Sequence, residues 1–280
     1  MMTFILAIIV ILTIFLVYRA YKNTKDITIN KIKINSDHTL RTDHSLSILH
    51  LSDMHLENIS LSPKQLMEKL KDEYVDIIAL TGDFLDRKRT IPKLEAYLKV
   101  LQDIQPRYGI YAVFGNHDYV LKGNDLDKLK SLLEQYDCNV LQNASETISI
   151  NGNVINIIGI DDYSTNRSDL SLAFQNIQSG TNIVLTHDPT VVLEMDHYSF
   201  DYLMAGHFHG GQICYPKAYH LVKMGKLARK NVIKGLHKQN NMPFYISEGL
   251  GQTGLNIRIG SRPEITFHDI AIQTSKSNII

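Results

Sequence analysis

The sequence predicts an α/β fold of two packed mixed sheets covered by helices. Two observations predict it. From residue 46 onward, strand-like apolar runs alternate with amphipathic helical stretches and then give way to consecutive strands. Apolar residues make up 44% of the 280-residue chain, enough for a sizeable core and too many for a disordered one.

Residues 1–20 read as a transmembrane anchor. Met1 to Tyr18 carries no charge, near the lower limit of the roughly 17–25 residues that span a bilayer. No basic residue precedes the run, and Val17-Tyr18-Arg19-Ala20-Tyr21 is a poor cleavage sequence, which favours an anchor over a signal peptide. Arg19, Lys22, Lys25, Lys31 and Lys33 follow, opposed by Asp26, so the positive-inside tendency places the body on the cytoplasmic face. The alternative is an export signal with the body outside.

Residues 21–45 read as a tether that becomes a strand near Asp26–Asn35, where Ile27, Ile29, Ile32 and Ile34 nearly alternate with polar residues. The main domain, 46–273, opens on the strand SLSILHLS. Helices are predicted from Pro63 to about Glu73, from Pro92 through Leu101, and from Asp125 to Tyr136, each with leucines recurring on one face. Strands follow around 146–150 and 154–160, then a helix near 168–177. Phe244–Ser247 and Glu264–Ile272 are again strand-like, and 274–280 is a short tail.

Lysine plus arginine and aspartate plus glutamate both number 29, so net charge selects no partner. The distribution says more. No acidic residue lies between Asp201 and Glu248, where Lys217, Lys223, Lys226, Arg229, Lys230, Lys234 and Lys238 fall. Cys138 and Cys214 make no disulfide framework, which leans toward a reducing compartment.

Chemistry concentrates in five polar clusters, each directly after a strand-like run. They are Asp53-Met54-His55, Gly82-Asp83, Gly115-Asn116-His117-Asp118, His187-Asp188 and Gly206-His207-Phe208-His209. A strand fixes its last residue, and the loop beyond can turn side chains toward a shared rim. Asp53 and His55 can chelate one divalent cation, Asp83 can bridge two, Asn116 offers an amide oxygen, and His187, His207 and His209 supply nitrogens. Two dications held by only two carboxylates retain excess positive charge, which suits an incoming phosphate. By contrast, His50, His197 and His268 read as structural, and His38, His44, His220 and His237 as surface residues.

In that order the five motifs resemble those of the calcineurin-like metallophosphoesterases, over about Leu46 to Ile272. The resemblance implies a four-layer αββα sandwich with a metal pair at the carboxyl ends of the central strands. It implies Asp53, His55 and His209 on the first ion, Asn116, His187 and His207 on the second, and Asp83 shared. Manganese, iron or zinc are the expected ions. It implies attack by a hydroxide bridging the ions, with His117 protonating the leaving oxygen. Asp86 stands three residues past Asp83, the family's spacing for a carboxylate held against that histidine; the alternative is a turn cap before Arg87. Asp118 is expected to orient a ligand.

Within the family, the chain is similar to a membrane-associated branch of YkuE- and YaeI-type phosphodiesterases that includes UDP-2,3-diacylglucosamine pyrophosphatases. The apolar N-terminus, His209-Gly210-Gly211-Gln212, Ser247-Glu248-Gly249-Leu250-Gly251, Gly254-Leu255 and Arg258 carry that likeness. It implies cleavage of a phosphodiester or pyrophosphate in a lipid-linked or nucleotide-sugar-lipid substrate, with Arg258 as a candidate phosphate contact. The basic stretch 217–238, interleaved with apolar residues, reads as a surface for anionic lipid or a lip over an amphiphilic substrate; the alternative is a solvated loop. An anchored body without a dedicated basic domain disfavours nucleic acid. Two other readings stay open: a phosphatase for soluble substrates held at the membrane, and a catalytically silent scaffold.

Overall fold

The computed structural model describes residues 1–34 and 45–272. His38, His44, Asn35 and the tail 274–280 lie outside the described residues. The elements are α1 (Met2–Asn23), β1 (Thr28–Ile34), β2 (Ser45–Leu51), α2 (Pro63–Leu70), β3 (Ile77–Thr81), α3 (Ile91–Asp103), β4 (Ile110–Val113), α4 (Asn124–Gln135), β5 (Cys138–Val140), β6 (Ala144–Ile150), β7 (Asn153–Gly159), α5 (Leu170–Ala173), β8 (Thr181–Leu185), β9 (Tyr202–Ala205), α6 (Lys226–Arg229), β10 (Gly235–Gln239), β11 (Met242–Ile246) and β12 (Glu264–Ala271).

They build two six-stranded mixed sheets. The first runs β1-β12-β2-β3-β4-β5 and the second β10-β11-β9-β8-β7-β6. β2, β3, β4 and β5 are mutually parallel, as are β7, β8, β9 and β11. Strands such as β2 are apolar on both faces and must therefore be covered on both. Leu46 and Ile48 point between the sheets, where Ile155, Ile183 and Tyr202 meet them. Leu49 and Leu51 point outward against Leu66, Leu98 and Leu129 of the helical layer. Beyond the second sheet, Val184, Leu203 and Phe244 pack against Val191, Leu221 and Leu227. The layers are helix, sheet, sheet, helix, as the sequence predicted.

Local signals explain where helices begin and end. Ser62 and Gln65 form a reciprocal capping box at the start of α2, with Pro63 in the first turn. The helix expected over 168–177 is a single turn, α5. Asp169 caps it, but the Asn156 side chain captures both the N–H and the carbonyl of Gln178, at 3.1 and 2.8 Å, so the backbone there is already paired outside any helix.

The strand expected near Asp26–Asn35 is β1, and where a tether was expected from residue 21 the helix runs on. α1 continues to Asn23 and its last turn is seated on the body. Ala20 and Thr24 are buried, the Arg258 N–H donates to the Ala20 carbonyl at 2.9 Å, and Asn23 Nδ2 donates to the Arg258 carbonyl at 2.8 Å. Residues 2–19 are exposed, and α1 is long and apolar enough to cross a membrane.

His50 and His268 lie buried between the sheets. His50 Nε2 is 2.7 Å from Thr81 Oγ1, and His268 Nδ1 is 2.8 Å from the Tyr202 hydroxyl. Burial holds His50 neutral, its pKa lowered to about 3. His197, expected to be structural, is instead exposed in the loop before β9.

Candidate metal centre

All five motif loops leave the carboxyl ends of β2, β3, β4, β8 and β9. These strands are neighbours in their sheets, so the loops converge on one edge of the sandwich. Asp53, His55, Asp83, His207 and His209 hold φ values of 50°, 36°, 53°, 77° and 50°, a region that non-glycine residues rarely occupy. Such strain persists only where surrounding bonds dictate it. Here the Asp53 N–H donates to the Gly82 carbonyl and the His55 N–H to the Asp83 carbonyl, both at 3.0 Å. The Asp118 carboxylate accepts the N–H groups of Asp83, Phe84 and Gly115, each at 2.9 Å. Asp118 thus fixes the backbone beneath Asp83. At Gly115 and Gly206 a side chain would collide with the carboxylates of Asp83 and Asp53, so the motif glycines are there for close approach.

Hydrogen bonds on one side of the imidazoles determine what the other side can do. His187 Nδ1 is 2.7 Å from the Thr81 carbonyl and His209 Nδ1 is 3.2 Å from the Gly251 carbonyl. A carbonyl only accepts, so both Nδ1 atoms carry the proton and both Nε2 atoms present lone pairs. His55 Nδ1, 2.7 Å from Asp86 Oδ1, is fixed in the same way. Those lone pairs meet other acceptors. His209 Nε2 is 3.1 Å from His55 Nε2 and 3.3 Å from Asp53 Oδ1. His187 Nε2 is 3.1 Å from Asp83 Oδ2 and 3.2 Å from His207 Nδ1, and His55 Nε2 approaches Asp83 Oδ2 at 3.4 Å. Acceptors facing acceptors in a buried cluster repel one another unless a cation lies among them. Asn116 Oδ1 is buried beside them without a hydrogen-bond partner.

The donors fall into sets that could hold ions, including Asp53, His55 and His209, and Asp53, Asp83 and His187. Asp83 Oδ2 faces histidines of both sets. The residues present therefore fit a pair of divalent cations, and nitrogen with carboxylate oxygen suits manganese, iron or zinc.

Protons fill the same role in the ion-free chain. Burial opposes charge on His55, but hydrogen bonds to Asp83 and Asp86 outweigh it and raise its pKa to about 10. Burial likewise opposes charge on His187, and the Asp83 carboxylate raises it well above its usual value. Burial lowers His209 to about 3 and also lowers His207. At neutral pH, His55 and His187 must give up protons when ions bind. Loading should therefore release about two protons per chain, measurable by calorimetry in buffers of different ionisation enthalpy. Binding without proton release would contradict His55 and His187 being protonated before the ions arrive.

His117 lines the cleft with its side chain 32% exposed, and its Nδ1 is 2.9 Å from Asp86 Oδ1. Asp86 therefore serves two histidines, His117 and His55, a sharing the spacing did not reveal. Burial opposes charge on His117, but the bond to Asp86 prevails and raises its pKa.

The phosphate contact expected at Arg258 is corrected. Arg258 is fully buried. Its Nη1 donates to the carbonyls of Glu248 and Arg262 at 2.7 and 2.9 Å, and its Nη2 to those of Gly249 and Gly251 at 3.0 and 2.7 Å. Its Nε is buried without a hydrogen-bond partner, and the side chain is not among those that line the cleft. Arg258 instead clasps the loop whose Gly251 carbonyl orients His209. Arg258→Ala would leave those carbonyls buried and unpaired, and should cost about 3 kcal/mol or more, read as a lowered denaturation midpoint.

Above the ligands opens a cleft of about 330 Å³. Asp83, Asn116, His117, His207 and His209 form its polar floor, and Phe208, Ile213, Leu221, Met224 and Leu255 its apolar walls. His220, expected as an ordinary surface residue, stands exposed on the cleft wall. Nothing in its sequence neighbourhood signals this position, because it depends on how the loop after β9 folds back.

A sequence model described as calcineurin-like phosphoesterase matches residues 46–211. The chain is 57% identical over 270 residues to YkoQ of Bacillus subtilis (strain 168), described as an uncharacterized metallophosphoesterase, covering 96% of this chain and 100% of that protein. It is 27% identical to the metallophosphoesterase YkuE of the same organism, over 82% of this chain and 83% of that one. It is 26% identical to the UDP-2,3-diacylglucosamine pyrophosphatase LpxG of Chlamydia muridarum (strain MoPn / Nigg), over 79% of this chain and 82% of LpxG.

Proposed function

The chain belongs to the calcineurin-like phosphoesterases and is a metal-dependent phosphoester hydrolase, and on that premise we propose that it cleaves a phosphodiester or pyrophosphate bond in a lipid-linked substrate at a membrane. Asp53, His55 and His209 would hold one divalent ion, Asn116, His187 and His207 a second, and Asp83 would be shared. Bound there, the ions supply positive charge for the phosphoryl oxygens and lower the pKa of water toward about 7.

The chain's own side chains do the rest. Asp118 and the strand-end bonds keep the ligands in place before substrate arrives, which removes a reorganisation cost from the reaction. Asp86 fixes the tautomer of His117 and keeps it protonated, so its free nitrogen can pass a proton to the departing oxygen. The apolar walls exclude water from one side of the cleft and match an acyl or prenyl substituent.

The observation that carries the lipid reading is that cleft: a floor of ligand atoms beneath walls of Phe208, Leu221, Met224 and Leu255. α1 as a membrane anchor and the likeness to a pyrophosphatase of a diacylated sugar nucleotide support it. Arg19, Lys22 and Lys25 at the base of α1 favour a body on the cytoplasmic face. The test compares a diacylated sugar-nucleotide pyrophosphate with its deacylated, water-soluble head group, using the full chain in detergent with manganese. A higher kcat/KM for the acylated compound is expected. Equal values would assign the chain to soluble phosphoesters.

A further inference from the structure

We propose that the base of α1 holds the mouth of the cleft against the bilayer, where a rim of aromatic, aliphatic and basic side chains inserts among anionic lipid head groups. The inference rests on α1 being a membrane span, and adds a position and a surface to it.

The anchor's seat and the cleft are built from the same loop. Arg258 carries the last turn of α1 on its own N–H and carbonyl. Next to it, Ile259 pairs with Ile213: its N–H donates to the Gln212 carbonyl at 2.8 Å, and its carbonyl accepts the Cys214 N–H at 2.7 Å. Gln212 Nε2 in turn donates to the carbonyls of Thr253 and Leu255 at 2.9 and 3.0 Å. Ile213, Thr253 and Leu255 line the cleft. Only the chain from Leu255 to Arg258 separates cleft from seat, at most about 11 Å when fully extended. That distance is comparable with the ~5–10 Å to which interfacial segments sink into the head-group boundary. A cleft so placed cannot stand far from the membrane.

The rim has the composition such a position requires. Tyr215, Tyr219 and Leu255 are 82%, 64% and 67% exposed, and Val222 and Ile213 are exposed too. Ile213 and Leu255 line the cleft, while Tyr219 and Val222 flank its lining residues His220 and Leu221 in the chain and Tyr215 stands two beyond Ile213. Single exposed apolar residues need no explanation, but five of them on, or within two residues in the chain of, the lining of one cleft do. Lys217 and Lys223 fall among them, in a stretch from residue 202 to 247 without any acidic residue. A second pocket, about 450 Å³, lies at the seat itself between Arg19, Lys22, Lys25 and Arg262, with Asp26 as its one carboxylate. A partner that is both apolar and anionic, and continuous with the apolar helix, is an anionic lipid surface. The substrate would then reach the cleft from the membrane plane, its phosphoester at head-group level and its acyl chains still in the bilayer.

The sequence has no tryptophan, so a single introduced one reports its own surroundings. Leu255→Trp and Tyr219→Trp report the rim, and Phe15→Trp the span. Tyr74→Trp reports the opposite end of the sandwich, where Tyr74 is 65% exposed just before β3. All four positions are exposed, so the substitutions should fold. Each full-length variant is placed in nanodiscs of phosphatidylglycerol and phosphatidylcholine carrying bromine on the acyl chains near the glycerol. The expected result is loss of most emission from Leu255→Trp, Tyr219→Trp and Phe15→Trp, with Tyr74→Trp unchanged. In discs of phosphatidylcholine alone, the rim reporters should recover emission while Phe15→Trp stays quenched. Rim reporters as bright as Tyr74→Trp beside a quenched Phe15→Trp would overturn the inference and leave the span intact. An unquenched Phe15→Trp would remove the span, and the inference with it. Equal rim quenching in both lipids would overturn the anionic preference.

Discussion

Asp83→Asn should empty the metal centre and abolish activity together. Asp83 Oδ2 lies 3.4 Å from His55 and 3.1 Å from His187, so this one oxygen faces both ligand sets. Its other oxygen accepts the His117 N–H at 2.8 Å, a bond that an amide oxygen can still accept. The substitution therefore keeps the local fold while removing half of the buried negative charge that Asp53 and Asp83 supply. Without it, His55 and His187 lose the charge that raises them, and the cations lose their shared ligand. We expect kcat/KM to fall about 10³-fold or more, some 4 kcal/mol of transition-state stabilisation, in step with metal content. Elemental analysis of folded variant beside its kinetics checks this. A variant that keeps both its metal and its rate would contradict the bridging role.

His117→Asn separates catalysis from metal binding. His117 is outside the assigned ligand set, and its bond to Asp86 makes it a proton donor. Metal content should be unchanged, and kcat should fall ~10²–10⁴-fold, the usual loss for a general acid. Two further readouts set a donor apart from a merely structural histidine. The variant's pH profile should lose the alkaline decline that comes from deprotonating His117, whose pKa is raised. A p-nitrophenyl ester, whose leaving group needs little protonation, should be affected less than an alkyl ester. Equal losses on both esters would argue for a positioning role.

The parts of this account that the sequence made legible are those governed by local rules. Strand-end placement put Asp53, Asp83, Asn116, His187 and His207 in loops, and the parallel strands behind them do the converging. The helix starts at Pro63 and near Pro92 followed from capping and fixed proline geometry. What escaped depends on contacts between distant residues. Arg258 reads as a phosphate-binding cation, because nothing nearby shows that five carbonyls converge on it, four from the loop after β11 and that of His209 from the loop after β9. His220 looked unremarkable until the loop after β9 folded over the cleft. The seat of α1 was hidden for the same reason: Ala20 and Asn23 meet Arg258, some two hundred and thirty-five positions away. Asp86 was anticipated beside His117, but its second bond to His55 needed the three-dimensional crossing of the loops after β2 and β3.

The central claim is that imidazole lone pairs, two buried carboxylates and an unpartnered amide oxygen are arranged around a pair of cations. The most direct measurement is the metal stoichiometry of folded full-length chain after equilibration with manganese, iron or zinc, by elemental analysis with anomalous scattering to locate the ions. Two divalent ions per chain, on either side of Asp83, is the predicted result. A well-folded chain that takes up none of these ions, or holds them away from Asp83, would contradict it.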